Sequence, residues 1–230
     1  MSYEIEASSA TPRLLVLLTD ELEESVKVVN RIIDAIIQLN YDGDAPKNRY
    51  FISVIGFNHN LKDLCSGWLK DLDASPLRYE ALKKKTPDGA GGIVEVEVLQ
   101  PVWVESMENS PVVENYVHAI NLTKELVKLW VKQEKMSPII IDCSTKCYAE
   151  NSIEEIRLLK QISAIDGTAL FFGSYSEVYN NSNNIFSKMP LMWQYRFKSL
   201  GMSENDYCNG LFCREHIFTI IGGLFDRGSE

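Results

Sequence analysis

The chain has 230 residues, a formal net charge of −9, 45% hydrophobic and 24% charged residues. This balance is typical of one folded globular domain and excludes wholesale disorder. The negative charge disfavours a nucleic-acid binder, because phosphate contacts need a basic face. The one dense basic run, Lys83-Lys84-Lys85, is followed by a Pro-Asp-Gly turn signal and predicts a solvated loop edge, with a binding patch as the less favoured alternative.

The start of the chain lacks the basic and apolar segments of a signal peptide. No apolar run approaches the ~20 residues that span a bilayer. We therefore expect a cytoplasmic protein with no membrane segment. Its five cysteines, an odd number, favour reduced thiols. Zinc binding through Cys143-x3-Cys147 and Cys208-x4-Cys213 is disfavoured, because neither pair has the usual Cys-x2-Cys spacing.

The first half of the chain predicts strands alternating with helices. Residues 1–12 predict a flexible lead-in. The continuous apolar run Leu14–Leu18 is typical of a central parallel strand, since both faces of such a strand are covered. Apolar residues at steps of three and four predict a helix over Val26–Asn40. Tyr50–Phe57 predicts a second strand, and the alternation of Ile93–Val98 predicts a half-exposed edge strand or hairpin arm.

Residues 60–92 predict an insertion in the domain. It holds a short amphipathic piece around Leu64–Leu72, followed by a Pro/Lys/Gly-rich stretch. Trp68 and Tyr79 are aromatic side chains of the kind that anchor the centres of interfaces. Two interpretations stay open for them. They bind a partner, or they belong to a flap that packs them back onto the domain.

The second half continues the alternation. Ser110-Pro111 predicts the start of a long helix that runs to Lys135. Pro138–Asp142 predicts another buried strand. Ser152-x-x-Glu155 predicts a capping box that opens the next helix, and Asp166-Gly167 predicts its end.

Beyond that helix, Thr168–Gly173 predicts a further strand, and His216–Phe225 a final helix in a C-terminal extension that starts at about residue 178. Strands alternating with helices imply an α/β fold with a doubly wound, mostly parallel sheet flanked by helices on both faces. We expect residues 13–230 to form one domain.

Two of the buried strands end in a carboxylate. Asp20 follows the first strand, with Glu24 shortly after it, and Asp142 ends a later strand. Ligands of such sheets bind at the carboxyl ends of the strands, and carboxylates suit Mg²⁺ or Ca²⁺. The alternative is that these acids cap helices and stabilise their dipoles.

Other chemistries find little support in the sequence. No glycine-rich phosphate loop follows the first strand, where the acidic run Thr19–Glu24 would repel a pyrophosphate. No Gly-x-Ser-x-Gly nucleophile motif is present. His59, His118 and His216 are scattered, and we interpret them as surface or packing histidines.

The pattern resembles the von Willebrand factor A domains, and most closely the small cytoplasmic bacterial branch that includes the tellurite-resistance-associated proteins. That family has a strand, then Asp-x-Ser-x-Ser, then a helix, where this chain has Asp20-Glu21-Leu22-Glu23-Glu24. Ile55-Gly56-Phe57, Ala119-Ile120 and Ile141-Asp142-Cys143 continue the match in order, over roughly residues 13–175.

The resemblance implies a metal-ion-dependent adhesion site, in which the bound metal accepts a carboxylate from a partner protein. Leu22 and Glu24 stand where the family has its two serines, so we interpret the site as degenerate. The family's threonine falls on Ser110 or Glu114, depending on the alignment. If the site is retained, the implied metal ligands are Asp20, Glu24, Ser110, Glu114 and Asp142. We favour the other outcome, in which no metal binds and the acids are solvated caps.

Three functions follow from this interpretation. The resemblance implies a non-enzymatic protein-interaction or scaffold module that needs no cofactor, within a bacterial stress-response or defence system. The second function is a metal-dependent hydrolase or divalent-cation-binding domain that uses the carboxylates. The third is a sensor that binds a small molecule in the crevice at the sheet edge.

Overall fold

The structure is a computed structural model that describes residues 7–58, 61–87, 92–108, 113–133, 135–144 and 152–172. The predicted lead-in lies mostly outside this part of the chain, and the C-terminal extension with its final helix lies outside it entirely. The strands of the described residues are β1 (Arg13–Thr19), β2 (Tyr41–Asp42), β3 (Ala45–Pro46), β4 (Tyr50–Gly56), β5 (Lys62–Trp68), β6 (Arg78–Pro87), β7 (Ile93–Val102), β8 (Ile139–Asp142), β9 (Ser163–Ala164), β10 (Gly167–Thr168) and β11 (Leu170–Phe172). The helices are α1 (Glu23–Leu39), α2 (Leu69–Ala74), α3 (Val113–Val131) and α4 (Ile153–Leu159).

The predicted mostly parallel sheet is confirmed. Five strands lie in the order β11-β8-β1-β4-β5. β1 runs parallel to both β4 and β8, and β11 runs parallel to β8. Only β5, at one edge, is antiparallel to its neighbour. The chain is therefore a mixed α/β protein with its longest apolar run at the centre of the sheet.

The side chains of β1 divide between two apolar clusters, because successive residues of a strand point to opposite faces. Leu15 and Leu17 pack in a cluster with residues of α1 and α2. Leu14, Val16 and Leu18 pack in a second cluster with residues of α3 and α4. Each of these side chains is fully buried, which stabilises the fold by about 1.5–3 kcal/mol per residue.

The predicted amphipathic piece around Leu64–Leu72 divides between a strand and a helix. Residues Lys62–Trp68 form the edge strand β5, and the helix α2 begins only at Leu69. A spacing of four between two apolar residues fits a helix turn and also one face of a strand. β5 is only partly buried, and its sequence lacks the continuous apolar run that identified β1.

Residues 78–102 form a separate two-stranded sheet, β6 paired antiparallel with β7, which we term the hairpin. The predicted hairpin arm over Ile93–Val98 is confirmed. The interpretation of Lys83-Lys84-Lys85 as a loop edge is wrong, because these residues lie within β6. Both strands of the hairpin are exposed on both faces over most of their length, so burial leaves no periodic signal in β6.

The end of α4 also differs from the prediction. Ser152 precedes the helix but its hydroxyl makes no capping hydrogen bond, and the helix ends at Leu159. Asp166 and Gly167 lie instead at the turn that joins β9 to β10. There Asp166 is half of a buried ion pair, 2.8 Å from the guanidinium of Arg13.

Among the described helices, none is both long and apolar enough to cross a membrane.

Candidate functional site

The two carboxylates that end β1 and β8 have the same local geometry. Leu18 is the register partner of Asp142, so Asp20 extends beyond β1 on the strand next to β8. Oδ1 of Asp20 accepts a hydrogen bond from Leu22 N at 3.2 Å, and Oδ1 of Asp142 accepts one from Ser144 N at 3.0 Å. Each aspartate therefore closes a turn onto the backbone two residues ahead. Both side chains are buried, so the prediction that these two acids are solvated caps is wrong.

Asp142 is held by protein groups on both of its oxygens. Oδ2 accepts a hydrogen bond from the hydroxyl of Tyr116 at 2.9 Å, and Oδ1 accepts a second bond from Ser144 Oγ at 2.5 Å. Burial raises the pKa of Asp142, and the charge of nearby Asp20 acts in the same direction. The hydrogen bonds from Ser144 and Tyr116 lower the pKa and so oppose that effect.

Glu21 is a residue of this edge that the sequence analysis did not single out as a site residue. It precedes α1, its side chain is 1% exposed, and its φ of 58° lies in the left-handed region. That backbone conformation costs a non-glycine residue about 1–2 kcal/mol. The carboxylate accepts a hydrogen bond from Asn58 N at 3.1 Å and lies 3.1 Å from Lys62 Nζ. The acidic run around it carries no signal for this burial.

Gly56, at the end of β4, lies directly against Glu21. A Cβ atom built on Gly56 would come within 2.6 Å of Glu21 Oε1 and 2.7 Å of Leu64 Cδ1. Asn58, two residues further on, donates from its amide group to Asp20 O at 3.0 Å. The ends of β1 and β4 are thus joined by side chains in close contact.

Of the remaining residues of the implied metal site, Glu24 alone has its side chain among the described residues. Glu24 is exposed in the first turn of α1, and Leu22 is the half-buried residue that precedes the helix. Ser110 lies outside the described residues, as does the side chain of Glu114. Among the residues that the structure describes, no group of three His, Cys, Asp or Glu side chains is arranged to hold a metal ion.

Ser25 is a second residue that sequence reasoning overlooked. Although it follows Glu24 directly, it is fully buried, and its hydroxyl has no hydrogen-bond partner among the described residues. A buried hydroxyl without a partner costs about 1–3 kcal/mol. A polar residue on the buried face of an otherwise apolar helix is the only sequence signal of this feature.

The two aromatic residues of the predicted insertion have different surroundings. Trp68, at the end of β5, is half-buried and meets Phe51 edge-on at 5.2 Å between ring centroids. Trp130 of α3 lies 6.4 Å from the ring of Trp68. Tyr79 is on the hairpin and is 58% exposed. Trp68 thus packs onto the domain, whereas Tyr79 is available to a partner.

The hairpin concentrates exposed apolar surface. Most of the large apolar side chains that are exposed in the described residues lie in or beside it. These side chains are Leu77, Tyr79, Leu82, Ile93, Val94, Val96, Val98 and Leu99. With ten residues in each strand, the hairpin is about 30 Å long.

The base of the hairpin is firmly attached to the domain. Asn30 of α1 accepts hydrogen bonds from Trp103 N at 2.8 Å and Val104 N at 3.1 Å, and donates to Val104 O at 2.9 Å. The indole of Trp103 donates to Leu72 O at 2.7 Å. The chain that leaves the hairpin is therefore buried and fully bonded, while the strands before it are exposed.

A cleft of about 160 Å³ lies between α1 and the base of the hairpin. Its charged groups already pair with one another. Arg78 Nε is 2.8 Å from Glu105, and Lys27 Nζ is 2.5 Å from Glu23. Ligand pockets are usually about 300–1,000 Å³ and mostly apolar, so this cleft does not favour a small-molecule sensor.

The chain matches no known protein family and no curated protein in sequence. The resemblance to von Willebrand factor A domains therefore rests on the pattern of residues given above.

Proposed function

We propose that the chain is a protein-interaction domain of the von Willebrand factor A type, with a doubly wound, Rossmann-like sheet, and that it binds its partner without a divalent ion. The observation that carries the proposal is the hairpin, whose apolar side chains contribute little to the core of the domain. Contiguous exposed apolar surface of this kind marks interaction sites in soluble proteins.

The attachment of the hairpin supports the same function. A partner that binds a flexible segment must offset the entropy of ordering it, whereas a preorganised surface avoids that term. The three hydrogen bonds of Asn30 and the buried Trp103 hold the base of the hairpin in one orientation. The exposed Tyr79 near this base is an aromatic anchor of the type enriched in interface centres.

The carboxyl edge of the sheet supports binding without a metal. Asp142 accepts three hydrogen bonds from the protein, and Glu21 pairs with the ammonium group of Lys62. Leu22, at the position of a liganding serine in the family, offers no oxygen on its side chain. A cation at this edge would have to displace these internal partners before it gained ligands.

The cytoplasm of a bacterium, in a stress-response or defence system, is the setting that the family resemblance implies for this domain. A hydrolase is the runner-up. It would need a base or nucleophile beside the carboxylates, and His118, the histidine within the described residues, is exposed on α3 instead.

The test is recovery of binding proteins on the immobilised full chain, with either Mg²⁺ or EDTA present. We expect the same proteins under both conditions, and their loss when Val96→Lys places a charge on the apolar face of the hairpin. Leu129→Lys is the matched control, because Leu129 is also an exposed apolar residue but lies on α3. Recovery that requires Mg²⁺ and disappears in Asp20→Ala would overturn metal-independent binding. Equal loss in both lysine variants would overturn the role of the hairpin.

A further inference from the structure

Among the strands that the structure describes, none pairs with the outer edge of β6 or of β7. Within the described residues β6 pairs with β7 alone, and β7 with β6 alone. The outer edge of each strand therefore presents backbone N–H and C=O groups that no other described strand satisfies. Such an edge accepts an additional strand, whose main-chain hydrogen bonds give affinity and whose side chains give specificity.

Charge distinguishes the two edges. On one face of the hairpin, Lys83 lies directly opposite Glu97, and Lys85 directly opposite Glu95. All four side chains are exposed. The edge beyond β6 is therefore bordered by two ammonium groups, and the edge beyond β7 by two carboxylates. An acidic strand is attracted to the first edge and repelled by the second.

The opposite face of the hairpin carries a row of apolar residues on β7, where the β6 partners of Val96 and Val94 are Lys84 and Thr86. Leu82 of β6 is the register partner of Val98 of β7, and Val94 and Val96 continue the row. Each of these side chains is between 39% and 46% exposed. A strand added beside β6 would extend this row with its own apolar residues, provided that they alternate with the charged ones.

We propose that the outer edge of β6 binds an extended segment of a partner protein in which carboxylates alternate with apolar residues. This inference rests on the proposed function and names the partner's chemistry. The pattern is the one that β7 already presents to the inner edge of β6, Val94-Glu95-Val96-Glu97-Val98. A strand's side chains meet neighbours on both sides alike, so the outer edge fits the same alternation.

A second copy of the chain carries this pattern in its own β7 but is the less suitable occupant. A copy bound through β7 would leave its own β6 edge open, so the association would continue into an open-ended stack and not close. Each copy also has a net charge of −9, which opposes such stacking. The geometry therefore favours a segment of a different protein.

The test uses fluorescence anisotropy of a labelled peptide with the sequence of residues 93–100, titrated with the full chain. We expect saturable binding that weakens with added salt. A peptide with lysine in place of both glutamates should bind at least about fivefold more weakly, since each opposite-charge pair across strands contributes roughly 0.2–1 kcal/mol. Equal affinity for the two peptides would overturn the charge assignment.

N-methylated peptides test strand addition directly. Methyl groups on alternate peptide nitrogens block either the edge that faces β6 or the edge that faces away. We expect one of the two methylation patterns to abolish binding and the other to preserve it. If both methylated peptides bind, or if both fail to bind, the peptide does not add as a strand.

Paired substitutions locate the edge. Lys83→Gln with Lys85→Gln should weaken binding of the acidic peptide about fivefold, by the same charge-pair magnitude. The double variant Glu95→Gln with Glu97→Gln removes two charges from β7 and should not weaken binding of the acidic peptide. If the glutamate substitutions weakened binding more than the lysine substitutions, the peptide would lie on β7 and the proposal would be overturned. The proposal would also be overturned if the chain self-associated with increasing concentration and the peptide reversed that association. If no peptide binds while Val96→Lys still abolishes partner recovery, strand addition fails but the proposed function holds.

Discussion

Replacing Asn30 with alanine removes the hydrogen bonds that hold the base of the hairpin to α1. The amide of Asn30 serves three backbone groups of Trp103 and Val104, at 2.8, 2.9 and 3.1 Å. Both residues are buried, so water does not readily replace the lost partner. At about 1 kcal/mol for each hydrogen bond, Asn30→Ala should lower the free energy of unfolding by about 3 kcal/mol. For a chain of this length that corresponds to a fall in Tm of roughly 6–12 °C.

Asn40→Ala is the matched control. Asn40 follows the same helix and is also buried, but its side-chain amide donates to Ile36 O, within α1. We expect a loss of about 1 kcal/mol from this variant. The assay is urea unfolding followed by circular dichroism, with hydrogen exchange at the amides of Trp103 and Val104. Those two amides should exchange faster in Asn30→Ala than in Asn40→Ala when both are compared at equal global stability.

Equal losses of stability in the two variants would refute the reasoning. A loss below about 1 kcal/mol in Asn30→Ala would also refute it, because removing a buried side chain with three hydrogen-bond partners should lower the free energy of unfolding by more than that. Unchanged exchange at Trp103 and Val104 would mean that the attachment of the hairpin does not depend on the Asn30 amide.

Three further predictions concern single side chains. Asp166→Ala leaves the buried guanidinium of Arg13 without its carboxylate and should destabilise the chain by about 3–5 kcal/mol in urea unfolding. The double variant Arg13→Met with Asp166→Ala should lose less stability than Asp166→Ala alone. A greater loss in the double variant would contradict the pairing. Because folding raises the pKa of Asp142, the folded chain holds that proton more tightly, so its contribution to stability falls as pH rises from about 3.9 through the raised pKa. Asp142→Asn should therefore remove part of the pH dependence of unfolding above about pH 4, and identical profiles would contradict this. Burial raises the pKa of Cys65 to about 11, so its alkylation at pH 8, followed by peptide mass spectrometry, should be roughly 200-fold slower in the folded than in the unfolded chain; a difference below tenfold would contradict it.

The elements that sequence predicted well are those buried on a regular period. The strand over Leu14–Leu18 corresponds to β1, and the helix over Val26–Asn40 corresponds to α1. Pro138–Asp142 likewise corresponds to β8. In each of these segments the same face or faces are buried along the whole element, so the spacing of the apolar residues indicates which faces contact the rest of the domain.

The elements that sequence missed are those without a regular buried face. β6 is exposed on both sides, so its lysines resemble a loop. β5 is partly buried without a regular period, and its pairing with β4 shifts register between Val54 and Ile55. The end of α4 was misplaced because Asp166-Gly167 carries a turn signal that serves a short strand pair instead. Local residue patterns do not reveal which element a turn follows.

At the carboxyl edge, sequence predicted the positions of Asp20 and Asp142 but not their partners. The bond from Tyr116 to Asp142 joins residues 26 apart, and that from Asn58 to Glu21 joins residues 37 apart. Contacts between residues so distant in the chain depend on the packing of helices against the sheet. They leave no periodic signal in one sequence.

The contact between Gly56 and Glu21 constrains the order in which substitutions can accumulate at these two positions. Because a Cβ at position 56 would overlap both the Glu21 carboxylate and Leu64, no side chain is tolerated there while both neighbours keep their size and place. A side chain at position 56 therefore requires the ends of the Glu21 and Leu64 side chains to shift, and a smaller residue at position 21 removes one of the two overlaps. In a mutational library, alanine at position 56 should be depleted in the wild-type background and partly recovered beside Glu21→Ala. The two positions form an epistatic pair across the ends of neighbouring strands.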